Sequence, residues 1–219
     1  GLWEKGIVRQ RPFVAPHHSA SRAAIVGGGS SAKPGDISLA HYGVLFLDEM
    51  PEFGRDVLET LRQPLEDGFV KISRVNASAT YPARFMLVGA MNLCPCGNFG
   101  VPGRECSCSP SKILAYRRKI SGPLLDRMDL FIQTTIVNYD DLQRAARPGE
   151  SSAAIRQRVN ECRALQRERF QKDGIYANSH MDAALLRRYC TLTPEAERLY
   201  ESEFDRRGMS GRSNTRTLR

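Results

Sequence analysis

Residues Val44–Glu49 read Val-Leu-Phe-Leu-Asp-Glu, an apolar run bounded by Gly43 and Pro51 that ends in two carboxylates. Such a short run is too brief for a helix and is typical of a buried strand in a parallel sheet. The carboxyl end of that strand would deliver Asp48 and Glu49 to one spot. Nucleoside triphosphatases need one acid there to hold magnesium and a second to polarise the attacking water. The alternative is a buried strand that ends in a solvated acidic turn.

The composition limits the class of protein. The chain has 219 residues, a net charge of +8 and a sequence pI near 9.4. This length fits one large or two small domains and buries a core without disulfides. A basic balance favours an anionic partner without identifying it. No stretch approaches about 18 apolar residues and no signal-peptide core is present, so we expect a soluble, cytoplasmic protein with no membrane partner.

The first part of the chain alternates strand and helix patterns, which predicts an α/β core over residues 1–137. Residues 51–68 carry apolar side chains at helical spacing and predict one helix that covers the sheet. Residues 69–75 alternate apolar and polar side chains and predict a strand. We expect it to pair with a second strand at 80–90 in a hairpin that bends at 76–79.

Two further elements complete the predicted core. Residues 111–120 predict a short basic helix, and residues 130–136 predict one more strand.

Beyond residue 137 the pattern is helical only, which predicts a small all-helical domain over residues 138–219. An apolar stripe at 155–170 predicts its first helix, and residues 182–189 predict a short second one. Thr193 is a typical N-cap before a proline, and Gly208 closes that last helix. Two cysteines on these helices are expected in the core. They are Cys162 and Cys190.

Four cysteines lie within fifteen residues as two close pairs, separated by a loop rich in glycine and proline. They are Cys94, Cys96, Cys106 and Cys108. Four thiolates at the corners of a tetrahedron make a closed structural zinc site. The Cys-x-Cys spacing is tighter than the usual two-residue gap. The alternative is unligated loop thiols in a reducing compartment, where a disulfide is disfavoured.

The adjacent pair His17-His18 is a second motif of metal-ligating residue types. Neighbouring side chains on an extended segment point to opposite sides. We therefore expect a structural role, or a role at the edge of a nucleotide site, for these two residues.

Several longer motifs follow one another in a fixed order. They are Arg11-Pro12-Phe13, Pro16–Ser21, Pro34–His41, Gly43–Glu49, Tyr81–Phe85, Ala90-Met91-Asn92 and Ser121–Arg127. In this order they resemble the magnesium-chelatase-like AAA+ ATPases, in particular the ComM/YifB branch, over nearly the whole chain. The resemblance implies an AAA+ type parallel sheet with flanking helices and hairpin insertions, followed by the helical lid domain.

The resemblance also implies roles for five side chains. Asp48 would hold the magnesium of Mg-ATP, and Glu49 would orient the attacking water. Asn92 resembles the sensor that bonds this water or the γ-phosphate, which an amide does without adding charge. Arg127 resembles the arginine finger that reaches the nucleotide of a neighbouring subunit, and Arg212 resembles the second sensor, which also contacts nucleotide.

Simpler roles exist for two of these residues when each is taken alone. Asn92 would then be a turn residue, and Arg127 would pair with Asp126 or Asp129.

The phosphate-binding loop of the family, Gly-x-x-x-x-Gly-Lys-Ser/Thr, occurs nowhere in the sequence. The nearest candidate, Gly27–Lys33, lacks the second glycine and precedes Pro34, so it cannot begin a phosphate-binding helix. In the family this loop lies upstream of the first residue of this chain, together with a strand that is central in the sheet. We expect a piece of a longer protein, with an incomplete core that binds nucleotide weakly or not at all and does not hydrolyse it.

Two hairpin-like insertions carry positive charge, with Lys33 in the first and Lys71 and Arg74 in the second. Resemblance to the wider helicase clade implies that both face the central pore of a ring, where these side chains would bind DNA phosphates. The alternative is the solvated face of an ordinary strand.

The resemblance therefore implies the ATPase region of a ring-forming DNA motor. Such a motor, which the resemblance implies to be a hexameric ring of identical subunits, would drive branch migration of branched or single-stranded DNA intermediates during recombination and natural transformation. The first alternative is a magnesium-chelatase-type ATPase that remodels proteins or inserts metal. The second is a non-catalytic module that binds zinc and DNA. Specificity would lie in appended domains, so the sequence leaves these alternatives open.

Overall fold

The computed structural model describes residues 10–29, 31–74, 77–134 and 149–219. The chain divides into two compact units, Gly1–Phe131 and Ile132–Arg219. The predicted domain boundary at residues 137 and 138 lies outside the described residues.

All the described strands belong to the first unit. They are β1 (Phe13–Val14), β2 (Gly27–Gly28), β3 (Lys33–Pro34), β4 (Val44–Leu47), β5 (Phe69–Arg74), β6 (Ala77–Pro82) and β7 (Met86–Gly89). The α-helices of this unit are α1 (Arg22–Val26), α2 (Asp36–Leu39), α3 (Arg55–Thr60), α4 (Arg62–Asp67), α5 (Pro110–Arg117) and α6 (Gly122–Leu125).

A three-stranded parallel sheet in the order β1-β4-β7 forms the centre of this unit. As the sequence predicts, the apolar run forms the middle strand, with Leu45 and Leu47 no more than 1% exposed. Their side chains pack in one apolar cluster with residues of the helices, including Ile25, Ile37 and Leu58. The fold is therefore the expected α/β class, a parallel sheet with flanking helices.

The helix predicted at 51–68 is interrupted. A 3₁₀ turn at Met50–Glu52 comes first, and α3 and α4 then meet at Leu61. Pro64 explains the break between the two helices, because it has no N–H for the carbonyl four residues earlier and its ring crowds that carbonyl. The end at Gly68 is as predicted, with a left-handed φ of 73°.

The hairpin prediction is confirmed, but the second strand is shorter and begins earlier than expected. β5 and β6 pair antiparallel from Phe69↔Pro82 to Arg74↔Ala77. The predicted strand at 80–90 is in fact two strands, because residues 83–85 leave the hairpin and lead into β7 of the central sheet. The connection at residues 75 and 76 lies outside the described residues.

The predicted insertion around Lys33 also forms a hairpin, in which β2 and β3 pair antiparallel. It packs against the larger hairpin, since the hydroxyl of Tyr81 donates to the carbonyl of Ala32 at 2.8 Å.

The prediction of a strand at 130–136 is wrong for residues 130–134, the part of this range that the structure describes. Residues 130–134 have no regular structure, and Leu130, Phe131 and Ile132 are 80%, 69% and 85% exposed. A strand needs a neighbour for its N–H and C=O groups.

The second unit is helical in its described residues. Its helices are α7 (Ser152–Arg169), α8 (Ala183–Tyr189), α9 (Pro194–Arg207) and α10 (Gly211–Leu218), with a 3₁₀ turn at Asn178–His180. The predicted N-cap at Thr193 and left-handed end at Gly208 of α9 are both present.

The core of the second unit is smaller than the sequence predicts. It centres on Phe170, Met181 and Leu186, with Cys190 packed against them. The expected burial of Cys162 is wrong, because this residue is exposed. The apolar stripe of α7 is exposed with it, since none of the residues of this helix is buried.

No helix in the described ranges is long and apolar enough to cross a membrane.

Candidate functional site

The structure brings three of the predicted site residues to one edge of the sheet. Asp48 and Glu49 follow β4 directly, and Asn92 is the third residue after the end of β7. The two strands are parallel and in register, with Leu47 beside Gly89. Backbone hydrogen bonds from Ala90 to Leu47 and from Met50 to Ala90, both 2.9 Å long, hold the two strand ends together.

The two acids have different conformations. Asp48 is exposed and accepts a hydrogen bond at 2.9 Å on Oδ1 from the N–H of Glu49. Glu49 has left-handed backbone angles, φ 49° and ψ 43°. The chain therefore turns sharply at this point, and both carboxylates remain accessible to solvent at the edge of the sheet.

His18, for which the sequence predicts a structural role or a role at the edge of a nucleotide site, contacts Glu49 at this edge, and the sequence did not reveal that contact. Its Nδ1 lies 3.3 Å from Oε2 of Glu49, with 35% and 60% of the two side chains exposed. The segment that carries it follows β1, so all three parallel strands contribute to this edge. The sequence only weakly indicates that this segment joins the sheet, because β1 consists of Phe13–Val14 only.

The expectation that the two histidines point to opposite sides is wrong. The rings of His17 and His18 lie 4.1 Å apart between centroids. The reason is a turn at this point, in which Ala20 donates to the carbonyl of His17 at 2.9 Å. The predicted role at the edge of the site stays a prediction for His17, whose Nδ1 lies 2.8 Å from the hydroxyl of Ser19.

Arg127 is held inside the first unit. Its side chain is 7% exposed and forms an ion pair with Glu66 of α4. Its Nη1 also donates to the carbonyl of Pro123 at 2.6 Å. The structure thus gives this guanidinium a packing role within its own subunit, and the predicted role at a neighbouring nucleotide stays a prediction.

The remaining predicted residues belong to other elements of the chain. Arg212 is near the start of α10, and Arg74 ends β5, but their side chains are outside the described part of the chain. Lys33 and Lys71 are exposed on the two hairpins that pack together.

The four clustered cysteines come together. Their sulfur atoms all lie within 4.8 Å of one another, although ten residues separate Cys96 from Cys106. The N–H of Asn98, then the neighbouring thiols, lower the pKa of Cys96 to about 6. The N–H of Cys108 lowers the pKa of Cys106, but desolvation and the sulfurs of Cys96 and Cys94 outweigh it and raise that pKa to about 12. One thiolate thus opposes ionisation of its neighbours.

Two family models match the chain. The one described as magnesium chelatase, subunit ChlI, matches residues 2–142. The one described as its C-terminal part matches residues 149–219.

The curated relatives are similar over almost the whole chain. Competence protein ComM of Haemophilus influenzae is 46% identical over 211 residues, which are 96% of this chain and 40% of that protein. The uncharacterized protein YifB of Escherichia coli is 45% identical, with the same two coverages. This chain therefore spans about two fifths of the length of these relatives.

Among solved structures, NtrX from Brucella abortus in complex with ADP is similar to 53% of this chain and 23% of its own, with a TM-score of 0.36 and 16% identity. The family match rests on the sequence, since the first model alone covers more than half of the residues. This chain belongs to the magnesium-chelatase-like family of AAA+-type ATPases, within which it is similar to ComM and YifB.

Proposed function

We propose that this chain is the ATPase region of a ring-forming DNA motor that acts in recombination. The observation that carries the proposal is the shared edge of β4 and β7, where Asp48, Glu49 and Asn92 follow two paired parallel strands. Ligands of α/β proteins bind at this edge, outside the carboxyl ends of the strands. The similarity to competence protein ComM supports the choice of DNA as substrate.

Asp48 is the proposed magnesium ligand. Its carboxylate is exposed and is oriented by the N–H of Glu49. This donor fits the ion, because Mg²⁺ takes one or two carboxylates and keeps several of its waters. Bound magnesium would neutralise the charge that develops on the transferred phosphoryl group.

Glu49 is the proposed residue that orients the attacking water. In this structure its carboxylate lies against His18, so the same oxygen that contacts the ring would have to turn towards water. Asn92 completes the group, because its amide can donate to a phosphate oxygen and accept from water.

Arg127 and Arg212 are proposed to complete the site in the assembled ring. A planar guanidinium suits the spread charge of the transferred group. For Arg127 this role requires its ion pair with Glu66 to open, because the side chain is almost fully buried in this structure.

Lys33 and Lys71 are the proposed DNA contacts, together with Arg74. Both lysines are exposed on hairpins that touch through Tyr81 and Ala32. Exposed cations on two touching hairpins suit contacts with the DNA phosphate backbone, which carry no information on base sequence.

The test uses this chain joined to the phosphate-loop segment that precedes it in the family. Hydrolysis of ATP is measured without DNA, with linear DNA and with branched DNA. We expect stimulation by branched DNA and a fall of about 10²-fold or more in Glu49→Gln. Glu52→Gln is the matched control, because this acid pairs with Lys119 at 3.2 Å and has no part in the proposed chemistry. Equal hydrolysis by the two variants would contradict the role of Glu49.

DNA binding is tested separately by salt dependence. Replacing both Lys33 and Lys71 by alanine should weaken binding of all DNA sequences alike and lower the salt slope by about one for each lost phosphate contact. Lys172→Ala, an exposed lysine of the second unit, is the control. Loss of affinity in the control alone would refute the proposed surface.

A magnesium-chelatase-type remodelling or metal-insertion activity is the second candidate, because the matching family model carries that description. Stimulation by a protein or porphyrin substrate, with no response to branched DNA, would favour it. Zinc and DNA binding without any ATP hydrolysis in the joined protein would instead favour a non-catalytic module.

A further inference from the structure

The four clustered cysteines have the dimensions of a tetrahedral metal site. The sulfur atoms of Cys94, Cys96 and Cys106 form a triangle with sides of 3.4, 3.6 and 3.7 Å. Cys108 is within 4.8 Å of all three. Four sulfurs at a Zn–S distance of about 2.3 Å lie about 3.8 Å apart along the edges of a tetrahedron. The thiols are therefore already spaced for one ion.

The backbone around the first pair is shaped to present both sulfurs. Gly97 donates to the carbonyl of Cys94 at 3.1 Å and has a left-handed φ of 79°. This tight turn brings two sulfurs of a Cys-x-Cys pair to the same side. The N–H of Phe99 donates to the sulfur of Cys94 at 3.3 Å. Such N–H donors stabilise thiolate ligands from the second layer around a metal.

The cysteine loop passes close to the proposed sensor residue. A Cβ built on Gly97 would lie 4.0 Å from the side-chain amide nitrogen of Asn92. Leu93, which follows Asn92 in the chain, accepts a hydrogen bond at 3.1 Å on its carbonyl oxygen from Arg117 of α5. The same guanidinium lies 5.3 Å from the centre of the Phe99 ring. The loop is thus close to Asn92 and is held against α5 through Leu93 and Phe99.

The second pair leads directly into that helix. Cys108 precedes Ser109, whose hydroxyl caps α5 by accepting from the N–H of Lys112 at 3.3 Å. A metal shared by both pairs would therefore join the segment after Asn92 to the start of α5. Burial of Tyr116 on this helix raises its pKa, although the backbone of Asn92 lowers it in part.

We propose that Cys94, Cys96, Cys106 and Cys108 bind one Zn²⁺ in a closed tetrathiolate site that fixes the segment after Asn92 against α5. Four protein ligands leave no open position, which is typical of a structural site and excludes a catalytic water on the ion. Metal binding is independent of the proposed function. Only the consequence for Asn92 rests on it.

Bound zinc is measured by elemental analysis of the chain purified under reducing conditions. The geometry of the site is measured by titration with Co²⁺. We expect about one zinc per chain, and a cobalt spectrum with thiolate charge-transfer bands and tetrahedral d–d bands. Cys96→Ser and Cys106→Ser should each lower the zinc content or affinity at least about tenfold. Cys162→Ser, an exposed cysteine of α7, is the matched control and should keep the metal.

The proposed position of the metal is tested by hydrogen exchange. Amides of residues 93–108 should exchange at least about tenfold faster after zinc is removed, while those of β4 should change little. Absence of zinc with free thiols would overturn the proposal, as would iron in its place or equal loss of zinc in Cys162→Ser. Zinc binding with unchanged exchange at 93–108 would overturn the link to Asn92. ATP hydrolysis does not enter these readouts, so they fail or succeed separately from the proposed function.

Discussion

The ion pair between Arg127 and Glu66 gives the sharpest prediction for the first unit. Arg127→Ala removes a side chain that is 7% exposed, together with its bonds to Glu66 and to the carbonyl of Pro123. Glu66→Gln instead leaves the guanidinium in place and removes only the opposing charge. If the pair stabilises the fold, both substitutions should destabilise it, and the first more than the second.

The expected size follows from the unequal burial of the two partners. Breaking a fully buried ion pair costs about 3–5 kcal/mol, whereas an exposed pair contributes about 0–1 kcal/mol. Glu66 is 48% exposed, so water replaces part of what it loses. We therefore expect Arg127→Ala to lower the free energy of unfolding by about 2–3 kcal/mol and Glu66→Gln by about 1–2 kcal/mol.

Native-state hydrogen exchange of the β4 amides measures this free energy within the first unit, without assuming that the two units unfold together. A loss of about 2 kcal/mol makes exchange about 30-fold faster. Arg198→Ala is the control, because this arginine is 75% exposed and pairs only with a neighbour on its own helix in the described contacts. If Arg127→Ala changes exchange no more than Arg198→Ala, the ion pair does not stabilise the fold and the argument fails.

Three further substitutions test the fold. Leu45→Ala leaves a cavity in the middle strand, where Leu45 is 0% exposed, and should lower the free energy of unfolding, measured with denaturant, by about 3–4 kcal/mol. Bonds from Ser121 and then from Arg62 hold the pKa of Glu59 below its ordinary value of 4.5. This carboxylate therefore stabilises the fold above pH 4.5 and loses that effect as the pH falls through its lower folded pKa, so melting temperatures of Glu59→Gln should fall less steeply in acid. Thr193→Ala removes the N-cap of α9 and should cost that helix about 1 kcal/mol, read from exchange of its first amides.

The sequence predicted the centre of the fold because its physics is local. A short apolar run between a glycine and a proline has few other solutions than a buried strand, and the carboxyl ends of parallel strands share one edge. This reasoning was sufficient to bring Asp48 and Glu49 together, whereas the family resemblance was needed to add Asn92. The cysteine cluster was predicted for a similar reason, because its members are close in the sequence.

The parts that the sequence did not reveal depend on distant contacts. Glu66 lies 61 residues before Arg127, so no local pattern connects them. His18 reaches Glu49 only because β1, a strand of two residues, joins the sheet. The apolar stripe of α7 follows the helical period, yet periodicity alone does not say whether a partner covers that face.

The backbone of Glu49 has a consequence for how this protein tolerates substitution. A residue with a Cβ held at a φ of 49° costs about 1–2 kcal/mol relative to glycine. Glu49→Gly would relieve that cost and delete the carboxylate at the same time. Screening variants for heat resistance alone would consequently favour loss of the very acid that the proposed chemistry needs, so thermostability and catalysis are expected to be opposed at this position.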